Sequence, residues 1–269
     1  MNDFNSIEKH FITMKYTRLI LVGMICLLLC ACASETDPAQ LYKDQTAEQI
    51  FKDGENAMLK GQYDKAIKHF EALDARYPFS AHTQQSQLDM IYTYYQQNDY
   101  PSALAAADQY IRLYPRGPHT DYAYYMRGVI EFEENHGVIE RYLHIDFSKR
   151  DLTGLHSAYL DFNQLLQFFP ESPYAADAKQ RMIYIRNIFA QHQLQVAQFY
   201  FDRKAYVAAI NRASEVVQHY QETPAVPDAL ALMVKGYRAL DFHQEAQETL
   251  KTLKLNFPDS DAYEDVERG

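Results

Sequence analysis

The sequence predicts an all-α fold, an α-solenoid of about five helix hairpins that pack into two halves. From Thr46 onward, apolar residues recur at helical spacing. Pairs of such apolar stripes repeat along the chain, and the equivalent positions Tyr63 and Tyr100 are 37 residues apart. The chain has only 9 Gly and 10 Pro in 269 residues, so long irregular tracts are not expected. One hairpin cannot bury both of its faces, and we therefore expect neighbouring hairpins to stack.

The first hairpin is predicted by a start, a break and an end. Thr46 and Gln49 make a capping-box pattern, in which each side chain bonds the backbone N–H of the other residue. Lys60-Gly61-Gln62 breaks the helical pattern after the first apolar stripe. A second stripe begins at Tyr63 and ends at Tyr77-Pro78, because proline interrupts a helix.

The same pattern recurs in later units. A residue three positions before an alanine opens each second helix, in the pairs Tyr63 and Ala66, Tyr100 and Ala103, Leu155 and Ala158, Tyr206 and Ala209, and His243 and Ala246. An aromatic residue and a proline close four of these helices, at Tyr77-Pro78, Tyr114-Pro115, Phe169-Pro170 and Phe257-Pro258. The fourth unit is expected to end less regularly, near Thr223-Pro224. A period of about 34 residues with this pattern resembles the tetratricopeptide (TPR) repeat.

Two of the predicted first helices are long. One covers about 119–135 and is followed by an intervening segment before its partner helix; the other covers about 173–202 and carries apolar residues on more than one face. A helix of that length is expected to join two sub-assemblies. We therefore assign 46–135 to an N-terminal TPR half, 136–259 to a C-terminal TPR half and 260–269 to an acidic tail.

The N-terminus is typical of an exported protein. Lys15 and Arg18 precede the apolar run Leu19–Ala31. This run is shorter than the roughly 20 residues that a membrane-spanning helix needs, and it has the length of a secretory signal core. Residues 1–31 are therefore predicted to be a signal peptide. Met14 is an alternative start; translation would then begin after Met1–Thr13, and these residues would not be part of the protein.

Cys32 is the predicted lipidation site. Leu29-Cys30-Ala31-Cys32 resembles the bacterial lipobox, with a small residue just before the acylated cysteine. Cleavage before Cys30 is less favourable because the bulky Leu29 would then take that place. The residue after the acylated cysteine is Ala33, and not the aspartate that retains lipoproteins in the inner membrane. This predicts a lipid anchor in the outer membrane, on its periplasmic face. Residues 32–45 are predicted to be the lipidated cysteine and a tether.

Charge and cysteine content exclude several function classes. The net charge is −10, and no basic run follows the N-terminus, which argues against a nucleic-acid partner. All three cysteines lie in the first 32 residues, so the body has no cysteine for a disulfide, a thiolate metal site or a nucleophile.

Enzyme motifs are absent from the sequence. It has no glycine-rich phosphate loop, no HExxH pair and no nucleophile elbow. His136, His144 and Asp146 are potential metal ligands, but their spacing matches no common ligand pattern. We predict a protein without enzymatic activity, cofactor or metal.

Tyrosines are abundant in two of the first helices, at positions Tyr92, Tyr94, Tyr95, Tyr122, Tyr124 and Tyr125. Consecutive residues cannot share one helix face, so part of each group lies in a binding groove or at the surface. Solenoids present such grooves to extended peptides, and packing within the core is the alternative role.

Several stretches outside the repeat pattern resemble the BamD family, the TPR lipoproteins of the β-barrel assembly machinery. The most specific is 71–79, Glu-Ala-Leu-Asp-Ala-Arg-Tyr-Pro-Phe; the others are 87–92, 124–128, 145–151, 196–200 and 206–212. They occur in order from the lipobox to about Leu255.

The resemblance implies five TPR hairpins and three kinds of partner. These are the periplasmic domains of the barrel-forming subunit, accessory lipoproteins of the same complex, and unfolded outer-membrane β-barrel precursors. Arg212 matches the family residue linked to the barrel-forming subunit; a local ion pair with Glu215 or Asp202 is its alternative role. Arg76 and Tyr77 lie in the stretch linked to substrates, and packing on the following proline is the alternative for Tyr77.

Two other function classes remain open at the level of sequence. One is a TPR lipoprotein pilotin that escorts a secretin, and the other is an envelope scaffold. Depletion separates the pilotin from the assembly role, because a loss of many outer-membrane barrels and a loss of one secretin ring are different outcomes. Pull-down of the acylated protein separates the scaffold.

Overall fold

The computed structural model describes residues 38–135 and 151–268. Within these residues the secondary structure is helical, with a short 3-10 turn at Pro38–Gln40 and eleven α-helices. The α-helices are α1 (Ala47–Leu59), α2 (Tyr63–Arg76), α3 (Thr83–Gln96), α4 (Tyr100–Leu113), α5 (Thr120–Asn135), α6 (Thr153–Phe168), α7 (Ala175–Asp202), α8 (Tyr206–His219), α9 (Val226–Ala239), α10 (His243–Asn256) and α11 (Asp261–Glu267).

Consecutive helices pack in pairs from α1/α2 to α9/α10, and each pair also packs on the next one. The predicted solenoid of five hairpins is thereby confirmed. None of the helices in the described part of the chain is long and apolar enough to cross a membrane.

Local signals set the helix ends. Thr46 N–H donates to Gln49 Oε1 at 2.9 Å, and Gln49 N–H donates to Thr46 Oγ1 at 3.3 Å, so the predicted capping box is present. The second helices begin at the predicted residues in four hairpins, while α6 begins at Thr153, two residues before Leu155.

The expected end of the fourth unit near Thr223-Pro224 differs from the structure. Helix α8 ends at His219, and Tyr220 caps it by donating its N–H to Val216 O at 3.0 Å. Thr223 Oγ1 then donates to Tyr220 O at 2.7 Å and closes the turn. An aromatic cap thus ends this helix as it ends the others, without a proline directly behind it.

The core runs along the solenoid as four clusters of buried residues. The first lies between α1 and α2, the second among α3–α5, the third among α5–α7, and the fourth among α7–α11. Helix α7 has 28 residues and contributes to two clusters, through Ile185 and Phe189 in the third and Leu194 and Ala197 in the fourth. The division into two halves at 135/136 stays a prediction, and 136–150 lie outside the described residues.

Both ends of the described chain are docked on the solenoid. Residues 38–45, which we call the N-terminal strap, lie against α2 and include most of the segment predicted to be a tether. The predicted acidic tail forms α11, which buries Ala262, Tyr263 and Val266 against its neighbours.

Candidate functional site

A cavity of about 870 Å³ lies among the N-terminal strap, α2, α3 and α4. We call it the N-terminal groove. Its lining residues are Pro38, Leu41, Lys68, Glu71, Asp74, Ala75, Gln87, Met90, Ala106, Gln109 and Tyr110. Both charge signs, amides and apolar side chains thus share one concave surface, the kind of lining that binds an extended peptide.

A buried amide is the most informative polar group in this groove. Gln87 is 8% exposed, and its Nε2 donates to Asp74 Oδ1 at 2.6 Å. Gln87 Oε1 is buried and has no hydrogen-bond partner within 38–135 and 151–268. An unpaired buried acceptor is costly, so a donor from a ligand would be favourable at this position.

Two tyrosines stiffen the wall of the groove. Tyr110 is fully buried, and its hydroxyl accepts from Gln84 Nε2 at 2.9 Å. Tyr94 donates to Glu71 Oε1 at 3.2 Å, and burial, helped by the charge of Glu71, raises the pKa of Tyr94 to about 12. Both hydroxyls therefore stay protonated near neutral pH.

The structure places Arg76 and Tyr77 at the end of α2, against the N-terminal strap. Arg76 Nη2 donates to Lys43 O at 2.8 Å and Nη1 to Leu41 O at 3.4 Å, while Tyr77 Oη donates to Gln45 O at 3.0 Å. Tyr77 also caps α2 and packs on the first core cluster. Neither side chain is among those that line the groove, and their predicted contact with substrates stays a prediction.

Arg212 is exposed on α8, far along the solenoid from the N-terminal strap. Its Nη1 donates to Gln193 Oε1 at 3.3 Å. The local ion pair that was its alternative role does not form within the described residues, where Glu215 pairs with His219 at 3.4 Å and Asp202 accepts from Gln198 at 2.6 Å. The guanidinium thus points a permanent positive charge toward solvent.

A smaller cavity of about 240 Å³ adjoins Arg212 through Gln193, which lines it. The ring of His156 stacks on that of Phe189 there, with centroids 4.0 Å apart, and Tyr220 completes the aromatic lining. Arg212 therefore stands beside a concave aromatic surface formed by α6, α7 and the end of α8.

Most of the tyrosines that suggested a groove pack on core clusters instead. Tyr94, Tyr95, Tyr122, Tyr124 and Tyr125 are partly buried against the second and third clusters. Tyr122 is buried deeply enough that its pKa rises strongly.

A partly buried ion cluster joins the second and third hairpins and was not predicted from the sequence. Arg127 on α5 pairs with Asp108 on α4 at 2.8 Å and with Asp161 on α6. Asp161 is 4% exposed, and burial raises its pKa although Arg127 opposes the shift. Its signal in the sequence is an aspartate inside the apolar run of α6, at a position that faces the core.

Metal binding has no support in the described part of the chain, where no three His, Cys, Asp or Glu side chains are grouped closely enough to hold an ion. Cys32, His136, His144 and Asp146 lie outside the described residues.

Gln87 and Tyr110 were missed as groove residues because helical periodicity alone assigns them to the core.

Comparison with known proteins identifies close relatives. A family model described as "YfiO: Outer membrane lipoprotein" matches residues 43–266. A Neisseria meningitidis protein named outer membrane protein assembly factor BamD is 37% identical over 90% of this chain and 92% of its own length. The protein of the same name from Vibrio cholerae is 36% identical over 90% of this chain and 99% of its own length.

The matches among solved structures are more distant. TPR-like repeats of a Podosopora anserina kinesin light chain match at a TM-score of 0.39 and 12% identity, over 86% of this chain and 98% of that chain. Pseudomonas aeruginosa pilF matches at a TM-score of 0.25 and 12% identity, over 82% of this chain and 96% of that chain.

Proposed function

This chain belongs to the YfiO family of outer membrane lipoproteins, whose curated relatives are named outer membrane protein assembly factor BamD, and from that premise we propose that it is a non-enzymatic scaffold of the β-barrel assembly machinery. In this proposal the N-terminal groove receives unfolded barrel precursors, and the surface around Arg212 binds the barrel-forming subunit. Accessory lipoproteins of the same complex are further partners.

The unpaired acceptor of Gln87 is the observation that carries the proposal for the groove. A β-barrel precursor is an extended chain whose backbone N–H groups need partners until the barrel closes. One such N–H bonded to Gln87 Oε1 removes the cost of the unsatisfied acceptor, which is about 1–3 kcal/mol. Apolar side chains of the same segment find Leu41 and Met90, and a methionine adapts to differing shapes.

A peptide-binding measurement tests the groove. The probe is a synthetic peptide of about ten alternating polar and apolar residues that ends in phenylalanine, the pattern of one barrel strand. The purified chain is expected to bind it, and Gln87→Leu is expected to weaken binding roughly 5- to 10-fold because the acceptor is lost. Gln244→Leu, an exposed glutamine on α10, serves as the matched control. Equal affinity for Gln87→Leu and the unaltered chain would remove the groove as the peptide site.

Arg212 supports the second contact, with the barrel-forming subunit. A planar, always-charged guanidinium next to a concave surface suits a partner carboxylate. A photoreactive residue at position 212 is expected to capture the barrel-forming subunit in cells, whereas the same residue at position 244 is not. Failure to capture any subunit of the assembly machinery at 212 excludes this role.

Membrane attachment is proposed to come from acylation of Cys32. Replacement of Cys32 by serine is expected to release the protein from membranes and to abolish labelling by a fatty-acid analogue. Retention of both would contradict a lipid anchor at this residue.

Depletion in cells distinguishes the assembly role from the alternatives. If the proposal holds, the amounts of many mature outer-membrane barrels fall together. Loss of a single secretin ring, with other barrels unchanged, would instead indicate a pilotin.

A further inference from the structure

The N-terminal strap is fixed to α2 through its backbone. Arg76 and Tyr77 donate to the carbonyl oxygens of Leu41, Lys43 and Gln45, which are alternate residues. Main-chain carbonyls are present whatever the side chains are, so these donors fix the course of the strap and do not read its sequence.

Tyr42 adds a side-chain anchor to these hydrogen bonds. Its ring stacks on that of His69, with centroids 4.0 Å apart and planes 15° apart, and His69 is 2% exposed. Tyr42 has a φ of +55°, a left-handed conformation that bulky residues seldom adopt. Such a conformation persists where surrounding contacts over-determine it, so the strap is a docked element and not a loose tether.

The strap also forms part of the N-terminal groove. Pro38 and Leu41 line the cavity together with Met90 and Ala106 of the helices. The cavity measures about 870 Å³ with the strap in place, so the strap is one wall of the groove and does not fill it.

We propose that the N-terminal strap is a peptide-binding wall of the groove, and that Arg76 and Tyr77 are positioning residues that hold this wall rather than residues that contact the peptide. The inference rests on the proposed function of the groove. An extended segment with an apolar side chain would lie between Leu41 on the strap and Met90 on α3, with its backbone toward Gln87.

The strap would also tie peptide binding to the membrane anchor. Five residues separate the predicted acylated Cys32 from Pro38, and covalent geometry limits the distance between the two to about 20 Å. The wall of the groove therefore stays close to the lipid surface at which barrel precursors arrive.

The test compares strap-releasing variants with a matched pair in the next hairpin. The double variant Arg76→Ala, Tyr77→Phe removes all three hydrogen bonds to the strap but keeps the aromatic ring in the core. Arg112→Ala, Tyr114→Phe makes the same changes at the end of α4. With the full mature chain and the strand peptide described above, the first variant is expected to bind about tenfold more weakly, and the control as tightly as the unaltered chain.

Two further readouts separate a positioning role from a direct contact. Amide hydrogen exchange at Leu41 and Gln45, whose N–H groups donate to Pro38 O and Tyr42 O, is expected to accelerate in the strap-releasing variant before any peptide is added. A photoreactive residue at position 41 is expected to cross-link to the peptide, and one at Leu59, which is 81% exposed, is not.

The outcomes distinguish this inference from the function on which it rests. Absence of peptide binding by the unaltered chain overturns both. Unchanged affinity in the strap-releasing variant with accelerated exchange, or absence of cross-linking at position 41, overturns the role of the strap alone. Weaker binding with unchanged exchange at Leu41 and Gln45 would show that Arg76 and Tyr77 contact the peptide themselves, and would overturn their assignment as positioning residues.

Discussion

Three glycines on first helices each lie against a bulky side chain of a neighbouring second helix. For Gly54 and Gly128 that helix belongs to the same hairpin, and for Gly236 it belongs to the preceding hairpin. A Cβ added at Gly54 would lie 2.6 Å from Phe70 Cε1, one at Gly128 would lie 2.6 Å from Phe162 Cε1, and one at Gly236 would lie 2.7 Å from Ile210 Cγ1. Since Phe70 and Phe162 are fully buried, their rings have little room to move away.

Gly128→Ala is therefore expected to destabilise the chain. The added methyl group overpacks the interface between α5 and α6, at a cost of about 1–3 kcal/mol in the free energy of unfolding, measurable by urea denaturation. Gly61→Asn is the control, because Gly61 has a φ of +70° that asparagine tolerates and no neighbour within 4 Å of its added Cβ. An unchanged free energy of unfolding in Gly128→Ala would show that α5 and α6 can move apart at no cost in stability.

Asp89 on α3 is a second residue whose surroundings set its behaviour. Burial raises its pKa to about 6 from the usual 3.8, opposed by the hydrogen bond that Gln85 Nε2 donates at 2.9 Å, and the charge of Glu55 adds to the rise. Between about pH 4 and 6 the folded chain thus holds a proton that the unfolded chain has released. The contribution of Asp89 to stability is full below pH 4 and is lost as the pH rises through 6.

Asp89→Asn is expected to remove this dependence on pH. The variant should be more stable than the unaltered chain by about 1–2 kcal/mol at pH 7.5 and nearly equal to it at pH 4, because asparagine resembles the protonated carboxyl. Thermal unfolding at both pH values measures the effect. Asp44 is exposed, and Asp44→Asn should leave the unfolding temperature unchanged at both pH values. An equal gain at both pH values would exclude titration of Asp89 as the cause.

At the scale of helices, the ion cluster of Arg127 ties three of them together. The guanidinium lies between Asp108 of α4 and the buried Asp161 of α6. Asp108 has 46% of its side chain exposed and keeps its hydration, whereas Asp161 depends on Arg127 for a counter-charge. Loss of the arginine thus leaves one buried carboxylate unpaired.

A double-mutant cycle checks this interdependence. Arg127→Met is expected to lower the free energy of unfolding by about 3–5 kcal/mol, and Arg127→Met combined with Asp161→Leu to recover most of that loss. Lys52→Ala breaks an exposed pair with Glu48 and should leave the free energy of unfolding nearly unchanged, because solvent screens that pair. Additive effects of the two substitutions at 127 and 161 would mean that the pair does not act as a unit.

The helices also show which features local sequence determines. The capping box at Thr46 and the aromatic residues that end second helices act through neighbours within four residues, and both were predicted. The end of α8 was misplaced because proline was taken as the signal, although the aromatic Tyr220 supplies the cap. In tetratricopeptide-like hairpins of this chain, the aromatic residue marks the helix end more reliably than the proline does.

At the scale of the whole molecule, the groove depends on contacts that no local pattern contains. The strap meets α2 through Arg76 and Tyr77 over separations of 32 to 35 residues. A polar segment next to a predicted lipobox has the composition of a tether, and its docking is decided by donors in a distant helix. Arg76 and Tyr77 were therefore identified by family resemblance, while their contacts became clear only from the fold.

The two ends of a solenoid lack one neighbour, and here α11 covers the C-terminal one. Tyr263 and Val266 bury their side chains in the fourth core cluster, and Arg238 Nη1 donates to Val266 O at 2.8 Å. A short polar-faced helix in this place shields the last hairpin from solvent, as terminal caps do in repeat proteins.

Ending the chain at Asp259 is expected to destabilise the C-terminal hairpin selectively. Removal of α11 exposes apolar surface on α9 and α10, worth about 3–5 kcal/mol, and because repeats contact only their neighbours the effect should fade along the solenoid. Hydrogen exchange is therefore expected to accelerate in α9 and α10 and to stay unchanged in α1 and α2. Tyr263→Phe, which keeps the buried ring, should leave exchange in both regions nearly unaltered. Uniform acceleration from α1 to α10 would instead mean that the solenoid unfolds as one cooperative unit, and that the N-terminal groove depends on a cap at the other end of the molecule.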